Sequence, residues 1–452
     1  MRDMSRGSIG GQILLFSFPL MLANVFQQLY GVMNSVVVGR YLGKEALAAT
    51  GTAIPLMNIM MFLIVGITMG ASVLMAEYFG AGDEKKLRDE ADTAMTAGLI
   101  FTLLLSAAGA LFVAPALRLI QAPPEILPQA AAYLRIICLG FVFAFFYNHF
   151  SSAMRAVGES AAPLCFLILS SLLNIALAVL FVGKLGGGVE GAAWATVISQ
   201  AFSALLCLAY IFFRIPALRP EGNFLRIKGE LLKKTLSYAS VSGIQQAVLY
   251  IGIFLLQGAV NPLGIDAIAA FNSVSRIDGL VMAPGDSLAS ALMMFVSQNR
   301  GARREDRVRL GLMQTHYLSF AVTALCAAVI FAVPERLAAL FLNAGEETAI
   351  AEAARFLRIM SLFYLFSPCC NTFQGFFRGA GRMDVTFYAT LVQIPLRVAL
   401  AYLLAGALGM EAVAVAIAAG WIFMAAYQLF EYSRYLRAEG PVEGGRSYGF
   451  GL

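Results

Sequence analysis

Twelve stretches of this chain are long and apolar enough to cross a bilayer, which takes about 20 residues each, and that pattern leaves few folds open. They run 13–38, 47–76, 92–115, 131–154, 161–183, 189–213, 236–260, 267–297, 312–333, 354–377, 384–407 and 412–434. In hydrocarbon every backbone N–H and C=O must be satisfied within the protein, so each stretch is read as a helix. No run of alternating polar and apolar residues suggests a barrel strand. Composition agrees: 60% of residues are hydrophobic and 13% charged, against about half and a quarter in a soluble domain. The expected fold is an all-α polytopic membrane protein with 12 transmembrane helices.

Lysine and arginine set the orientation. Twenty-two lie at the two ends and in the loops after even-numbered spans, whereas five (Arg40, Lys44, Arg118, Lys184 and Arg336) lie in the opposite loops. Both termini are therefore expected in the cytoplasm. Arg2 and Arg6 precede the first apolar run and no A-x-A site follows, so this run is read as a retained span. The six cysteines sit in apolar runs without a CxxC pair, and there are two histidines. Disulfide, zinc and cofactor chemistry are not expected.

The two halves repeat. "GRYLGKEALAA" (39–49) lies over "VNPLGIDAIAA" (260–270) at an offset of 221, and Gly80-Ala81 meets Gly301-Ala302 at the same offset. "YLRI" (133–136) matches "FLRI" (356–359) at an offset of 223, which also pairs Arg155 and Gly158 with Arg378 and Gly381. Matched loop residues at a fixed offset are not a by-product of apolar composition. The division expected is a six-helix lobe over 1–213, a cytoplasmic linker over 214–235 and a second lobe over 236–452 ending in a short cytoplasmic tail. An even number of spans per half gives parallel repeats, related by a pseudo-twofold axis along the membrane normal. In such folds transport sites lie near mid-membrane.

The chain resembles the multidrug and toxic compound extrusion (MATE) family, within the superfamily of multidrug, oligosaccharidyl-lipid and polysaccharide exporters. The likeness is carried by Pro19, "QQLYGVMNSVVVGRYLGKEALAA" (27–49), "GAGD" (80–83), "MRAVGES" (154–160), "LNIAL" (173–177), "GVEGAAWATVISQ" (188–200), "FVSQNRGA" (295–302) and "FFRGAGR" (376–382). It implies a bacterial inner-membrane antiporter that exports small organic molecules or drugs by alternating access, driven by inward Na⁺ or H⁺. It implies a monomer, with the bilayer and a small-molecule substrate as partners and no nucleic acid. It also implies no enzymatic activity.

Polar residues inside the spans give the candidate site. Asn24, Gln27, Gln28, Gly31, Asn34 and Ser35 share one face of span 1. Ser242, Gln245, Gln246 and Tyr250 repeat the stripe in span 7. Such stripes point to a protein interior or a wet cavity; interhelical hydrogen bonding, worth about 0.6 kcal/mol per contact, is the plainer reading. Members of the resembled family often carry aspartate at the place of Asn34 and four residues after Asn174, where this chain has Ala178. Asn34, Asn174 and Thr196 match the polar shell of a family cation site, so Na⁺ near these three is expected. Both acids are replaced, and an amide does not titrate. A second family scheme uses acids in spans 7 and 10, which fall on Leu249 and near Ser367.

The remaining intramembrane charges lie in the second half: Arg276, Asp278 and Asp286 in span 8 and Arg397 in span 11. Asn272, Arg276 and Asp286 share a face. Arg276 and Asp286 are ten residues apart, about 15 Å along a helix. Pro284 frees the carbonyl of Leu280 and is a candidate hinge. Two readings stand. The arginines form structural ion pairs with Asp278 and Asp286, or they line a cavity suited to an anionic or zwitterionic substrate, with Asp286 as a proton-linked acid. His149 is read as a packed histidine ahead of a proton relay.

Other classes fare worse. "GAGD" formally matches an intramembrane aspartyl protease string, but Asp83 sits in a charged loop and no Tyr-Asp partner exists; a helix-ending turn explains it. Neither H-E-x-x-H nor a P-loop occurs. A flippase for lipids or lipid-linked sugars is the nearer alternative, and the few cationic cavity residues weigh against it.

Overall fold

A computed structural model describes residues 2–120, 122–219, 227–342 and 346–439. Part of the 214–235 linker and the tail after residue 439 lie outside them. The described residues are nearly all helical. Thirteen α-helices follow in order: α1 (Ile9–Gly80), α2 (Glu84–Leu119), α3 (Leu127–Ala156), α4 (Ala161–Ala178), α5 (Gly188–Arg214), α6 (Gly229–Val260), α7 (Ile265–Gly301), α8 (Glu305–Ala332), α9 (Pro334–Ala338), α10 (Glu347–Phe363), α11 (Ser367–Gly379), α12 (Met383–Leu408) and α13 (Glu411–Glu439).

Among the described residues ten helices are long and apolar enough to cross a membrane. Two of the sequence-read spans share α1, which breaks at Gly43 (φ 81°, ψ −171°), a conformation that a side chain at that position would resist. Its repeat partner, Gly264 (φ 107°, ψ 174°), makes the matching break between α6 and α7. Span 10 is two short helices, α10 and α11, joined by a 3₁₀ turn over Tyr364–Phe366. Span 5 ends in a π-helical turn over Val179–Lys184. The twelve spans are thus accounted for. Several helices outrun their apolar stretches because hydropathy marks the part in lipid, not the part that is helical. Large apolar side chains face outward throughout; Leu403 is 77% exposed and Leu111 75%. A surface so apolar belongs in lipid.

Contacts divide the chain into two compact units. Unit 1 comprises Met1–Asp3 with Phe18–Ala247, and unit 2 Met4–Ser17 with Val248–Leu452. The division runs through α1 and α6, so each unit takes in a short piece from the other half of the sequence. In unit 2 the reason is a polar clasp. Buried Arg307 donates to Met4 O (3.2 Å), Gly7 O (2.9 Å) and Asn299 Oδ1 (3.0 Å). Gln298 Oε1 accepts from Met4 N at 2.9 Å. Unit 1 has an apolar core that includes Ile64, Val113, Leu134, Phe141 and Phe145. The core of unit 2 includes Phe271, Val274, Ile277, Phe356 and Tyr364.

The repeat is visible in the turns. Four helix ends close with paired backbone bonds of the Schellman type. Asp83 N donates to Tyr78 O and Gly82 N to Phe79 O; Glu159 and Gly158, Arg304 and Arg303, and Arg382 and Gly381 repeat the pattern. Asp83 then caps α2 by accepting from Lys86 N at 2.9 Å. That bond holds its carboxyl below the ordinary aspartate range. "GAGD" is therefore a helix stop and start. Three of the four left-handed positions are glycines, and the fourth is Arg303, at φ 56°. Left-handed backbone costs a non-glycine residue about 1–2 kcal/mol, partly offset by the entropy glycine loses on folding. Arg303→Gly should therefore stabilise unit 2 by about 0.5 kcal/mol, read as a small upward shift in thermal unfolding of the purified protein. A lower unfolding temperature would show that the arginine side chain has a role of its own.

Two Gly-x-x-x-Gly seams allow close helix approach. In unit 1 a Cβ on Gly66 of α1 would lie 2.4 Å from Gly243 Cα of α6. In unit 2 one on Gly375 of α11 would lie 2.3 Å from Ala289 O of α7, and one on Gly379 2.5 Å from Met293 O. The unit 2 seam holds α7, which carries the acids Asp278 and Asp286.

Candidate functional site

Unit 1 gathers a small polar cluster from three helices. Tyr30 of α1 donates to Thr196 Oγ1 of α5 at 3.4 Å, and Asn174 Nδ2 of α4 donates to the same oxygen at 3.4 Å. Thr196 passes its own proton to Ala192 O at 3.1 Å. A hydroxyl has one proton and two lone pairs, so Thr196 is saturated. Asn174 is fully buried, and its Oδ1 has no hydrogen-bond partner. Asn34, one helical turn beyond Tyr30, also has a buried Oδ1 without a partner. Orphaned amide oxygens in two apolar spans are costly unless something satisfies them.

The place where the resemblance puts an acid is closed. Ala178 packs with Val37 and Ala195 in an apolar cluster. Methyl groups fill it, and no titrating group stands there. The rest of the α1 stripe is graded: Asn24 is half-buried, and Gln27 and Gln28 are exposed. On α6, Gln245 is buried and Gln246 and Tyr250 are half-buried. Ser242, buried beside the Gly66 seam, belongs to a helix crossing.

Unit 2 holds the charges. The acids Asp278 and Asp286 lie two turns apart on α7, either side of Pro284, through which the helix continues. Asp278 accepts from the Tyr364 hydroxyl. Asp286 accepts from Asn371 Nδ2 of α11 at 3.0 Å. The positive charge that acts on Asp278 is Arg397 of α12, and the one that acts on Asp286 is Arg378 of α11. Among the described residues neither acid makes a direct ion pair, and Nε of both Arg378 and Arg397 is buried without a hydrogen-bond partner. The expected direct pairing of Arg276 is replaced by a ring contact: its guanidinium lies 5.8 Å from the centroid of Phe341. An uninterrupted α7 keeps Arg276 about 15 Å from Asp286 along the axis. Asn272 is exposed on the same helix.

Sequence reasoning missed three participants. Tyr364 has no signal, because a tyrosine in an apolar span looks like core. Arg378 reads as a loop anchor beside a glycine turn. Asn371 could have been found, since Asn371 and Gln374 in span 10 and Arg378 just after it recur every three or four residues. His149 is packed: it is buried, its ring hydrogen-bonds the Ala91 backbone and it stacks on Phe145 at 5.7 Å. No group of three or more metal-binding His, Cys, Asp or Glu side chains occurs among the described residues.

A twelve-span, internally repeated helical protein with polar clusters within the spans of each unit is a membrane transporter by architecture. The MatE family model matches residues 19–180 and 242–403, one copy in each half, and the chain belongs to that family. Its members are transporters, and this protein is a multi-pass membrane transporter of the multidrug-efflux family, not an enzyme. It is 29% identical over 384 residues to the probable multidrug resistance protein YoeA of Bacillus subtilis, covering 83% of this chain and 82% of that one. It is 27% identical over 442 residues to the probable multidrug resistance protein YpnP of the same organism, covering 96% and 97%. A crystal structure of MATE in complex with MaL6 superposes with a TM-score of 0.86 at 25% identity, over 96% of this chain and 98% of that one.

Proposed function

We propose that the protein is a secondary active exporter of small organic molecules, an ion-coupled antiporter that works by alternating access. It sits in the bacterial cytoplasmic membrane as a monomer, with both termini in the cytoplasm. The observation that carries the coupling reading is the pair of partnerless amide oxygens, Asn34 Oδ1 and Asn174 Oδ1. Carbonyl-type oxygens suit a hard cation such as Na⁺. They have no affinity for a proton at working pH. Family membership supports export, and the replacement of both expected acids by Asn34 and Ala178 supports Na⁺ over H⁺ at this site.

The test is transport in proteoliposomes with Na⁺ and pH gradients imposed separately, using cationic, zwitterionic and anionic probes. An inward Na⁺ gradient should drive counter-movement of at least one probe class, and Asn174→Ala should abolish it while the protein remains folded. Transport driven by a pH gradient alone, and indifferent to Na⁺, would overturn the Na⁺ reading. Equilibration of labelled lipid between leaflets without movement of any soluble probe would favour a flippase.

A further inference from the structure

We propose that Asp278, Tyr364 and Arg397 form a proton-linked anion site in unit 2. Arg397 holds an acidic group, carboxylate or phosphate, of the transported molecule while Asp278 takes up a proton. The inference rests on the export reading and adds a substrate class to it.

Arg397 is the starting point. A permanent cation in the middle of an apolar span is expensive unless paired or used. Its Nε is buried without a partner, it makes no direct ion pair among the described residues, and the charge acting on it is Asp278. Its stem is enclosed: a Cβ on Gly420 of α13 would lie 3.4 Å from Arg397 Cβ. Packing against α13 holds the base of the side chain, and Nε is left without a partner. The planar fork of the guanidinium matches carboxylate and phosphate oxygens better than any other side chain does. The repeat sharpens the contrast. Arg397 stands 223 residues after Asn174, at the offset that relates those parts of the two halves. One unit offers an amide oxygen at this place, and the other offers a cation.

Asp278 supplies the counter-charge when no anion is held. The groups that face it are few. Tyr364, from the turn after α10, donates to it, and Arg397 acts on it from α12. Of the other elements packed on α7, α11 brings Arg378, whose charge acts on Asp286. Among the described residues α8, α9 and α10 bring no charge that acts on Asp278; Arg358 of α10 pairs with Glu335 instead. On α7 itself, Arg276 is turned onto Phe341 and Asp286 lies two turns away. With Asp278 ionised, the Asp278–Arg397 dyad is neutral. An arriving carboxylate, or a phosphate in its monoanionic form, adds one negative charge in a medium where that is costly. A proton from water joining an Asp278 carboxylate oxygen removes it. Tyr364 keeps its hydroxyl proton and Arg397 keeps its charge. On release the anion leaves, Asp278 gives its proton back to water, and the dyad re-forms. Anion and proton therefore bind together, so affinity for an acidic probe rises as pH falls.

Trp421 gives a local readout, since its ring centroid lies 6.0 Å from that of Tyr364. The chain has two tryptophans, and Trp194→Phe leaves Trp421 as the reporter. Full-length purified protein is titrated with benzoate and with phenyl phosphate, and with tetramethylammonium and betaine as cationic and zwitterionic controls. Both acidic probes should change Trp421 emission, with affinity rising up to about tenfold per pH unit lowered through the Asp278 titration. The tighter of the two identifies which acid the site prefers. Arg397→Gln should weaken binding about tenfold or more, and Arg397→Lys should restore part of the loss. Asp278→Asn should abolish the pH dependence while leaving binding as tight as in the parent at low pH. Tyr364→Phe, which keeps the ring, should shift the pH profile without removing binding. Flat pH dependence in the parent, loss of binding in folded Asp278→Asn, or preference for tetramethylammonium or betaine would overturn the proposal. Transport of soluble probes with none of these Trp421 responses would overturn it alone. The full set of responses without transport in any gradient would overturn the export reading instead.

Discussion

Gly375→Leu should leave almost no folded protein. The seam between α7 and α11 is made by backbone meeting backbone, and the first added carbon would stand 2.3 Å from Ala289 O and 2.9 Å from Ala289 C. Neither atom belongs to a flexible side chain, so the helices must part. Parting them also strains the bond from Ser297 Oγ to Gly379 O (3.1 Å) and the bond from Asn371 to Asp286 (3.0 Å), which cross the same seam. Overpacking in a core costs about 1–3 kcal/mol where side chains can adjust, and here they cannot, so about 3 kcal/mol or more is expected. Expression followed by size-exclusion chromatography reads this as loss of the monodisperse peak, and Gly375→Ala should be damaged less. A Gly375→Leu protein with parent-like thermal stability would show that α7 and α11 do not pack as described.

Asn34→Asp should make the proposed Na⁺-driven transport depend on pH. A carboxylate in place of the amide adds a charge to the cluster of Tyr30, Thr196 and Asn174. Hydrogen bonds and contacts to charged groups are worth roughly 1–2 kcal/mol more than neutral ones, so Na⁺ should bind about tenfold tighter at high pH. A proton then competes with Na⁺ for the carboxylate. As pH falls through the new group's pKa, apparent Na⁺ affinity should drop by up to about tenfold per unit. The parent should show no such slope, because neither amide titrates. The measurement is the Na⁺ concentration for half-maximal probe export at a series of pH values. Identical slopes in the two proteins would place the coupling ion elsewhere.

Much of the architecture is legible in the sequence, because lipid imposes a simple rule on every crossing segment. The loop repeats at Gly43 and Gly264, and at Gly158 and Gly381, mark the doubled half through backbone conformations that side chains resist. The sequence does not reveal that Met4–Ser17 packs in unit 2. Hydropathy shows where the chain crosses lipid, while a buried clasp around Arg307 decides where its end is held. The unit 1 cluster was partly visible, since Asn34, Asn174 and Thr196 stand out in apolar runs. Tyr30 completes it and does not stand out. In unit 2 the acids were visible but their partners were not. Tyr364, Asn371 and Arg378 come from a span broken at Tyr364–Phe366, where periodicity is interrupted, and distance along the chain hides their approach to α7.

The proposed Na⁺ site offers neutral oxygens, the partnerless amide oxygens of Asn34 and Asn174, in unit 1. Binding of radioactive Na⁺ to the purified protein between about pH 5 and 8, a range in which histidines and carboxylates raised by burial titrate and amides do not, is the test. Binding should be saturable, stay constant across that range and disappear in folded Asn174→Ala. Binding that weakens steadily as pH falls, or that survives Asn174→Ala unchanged, would contradict it.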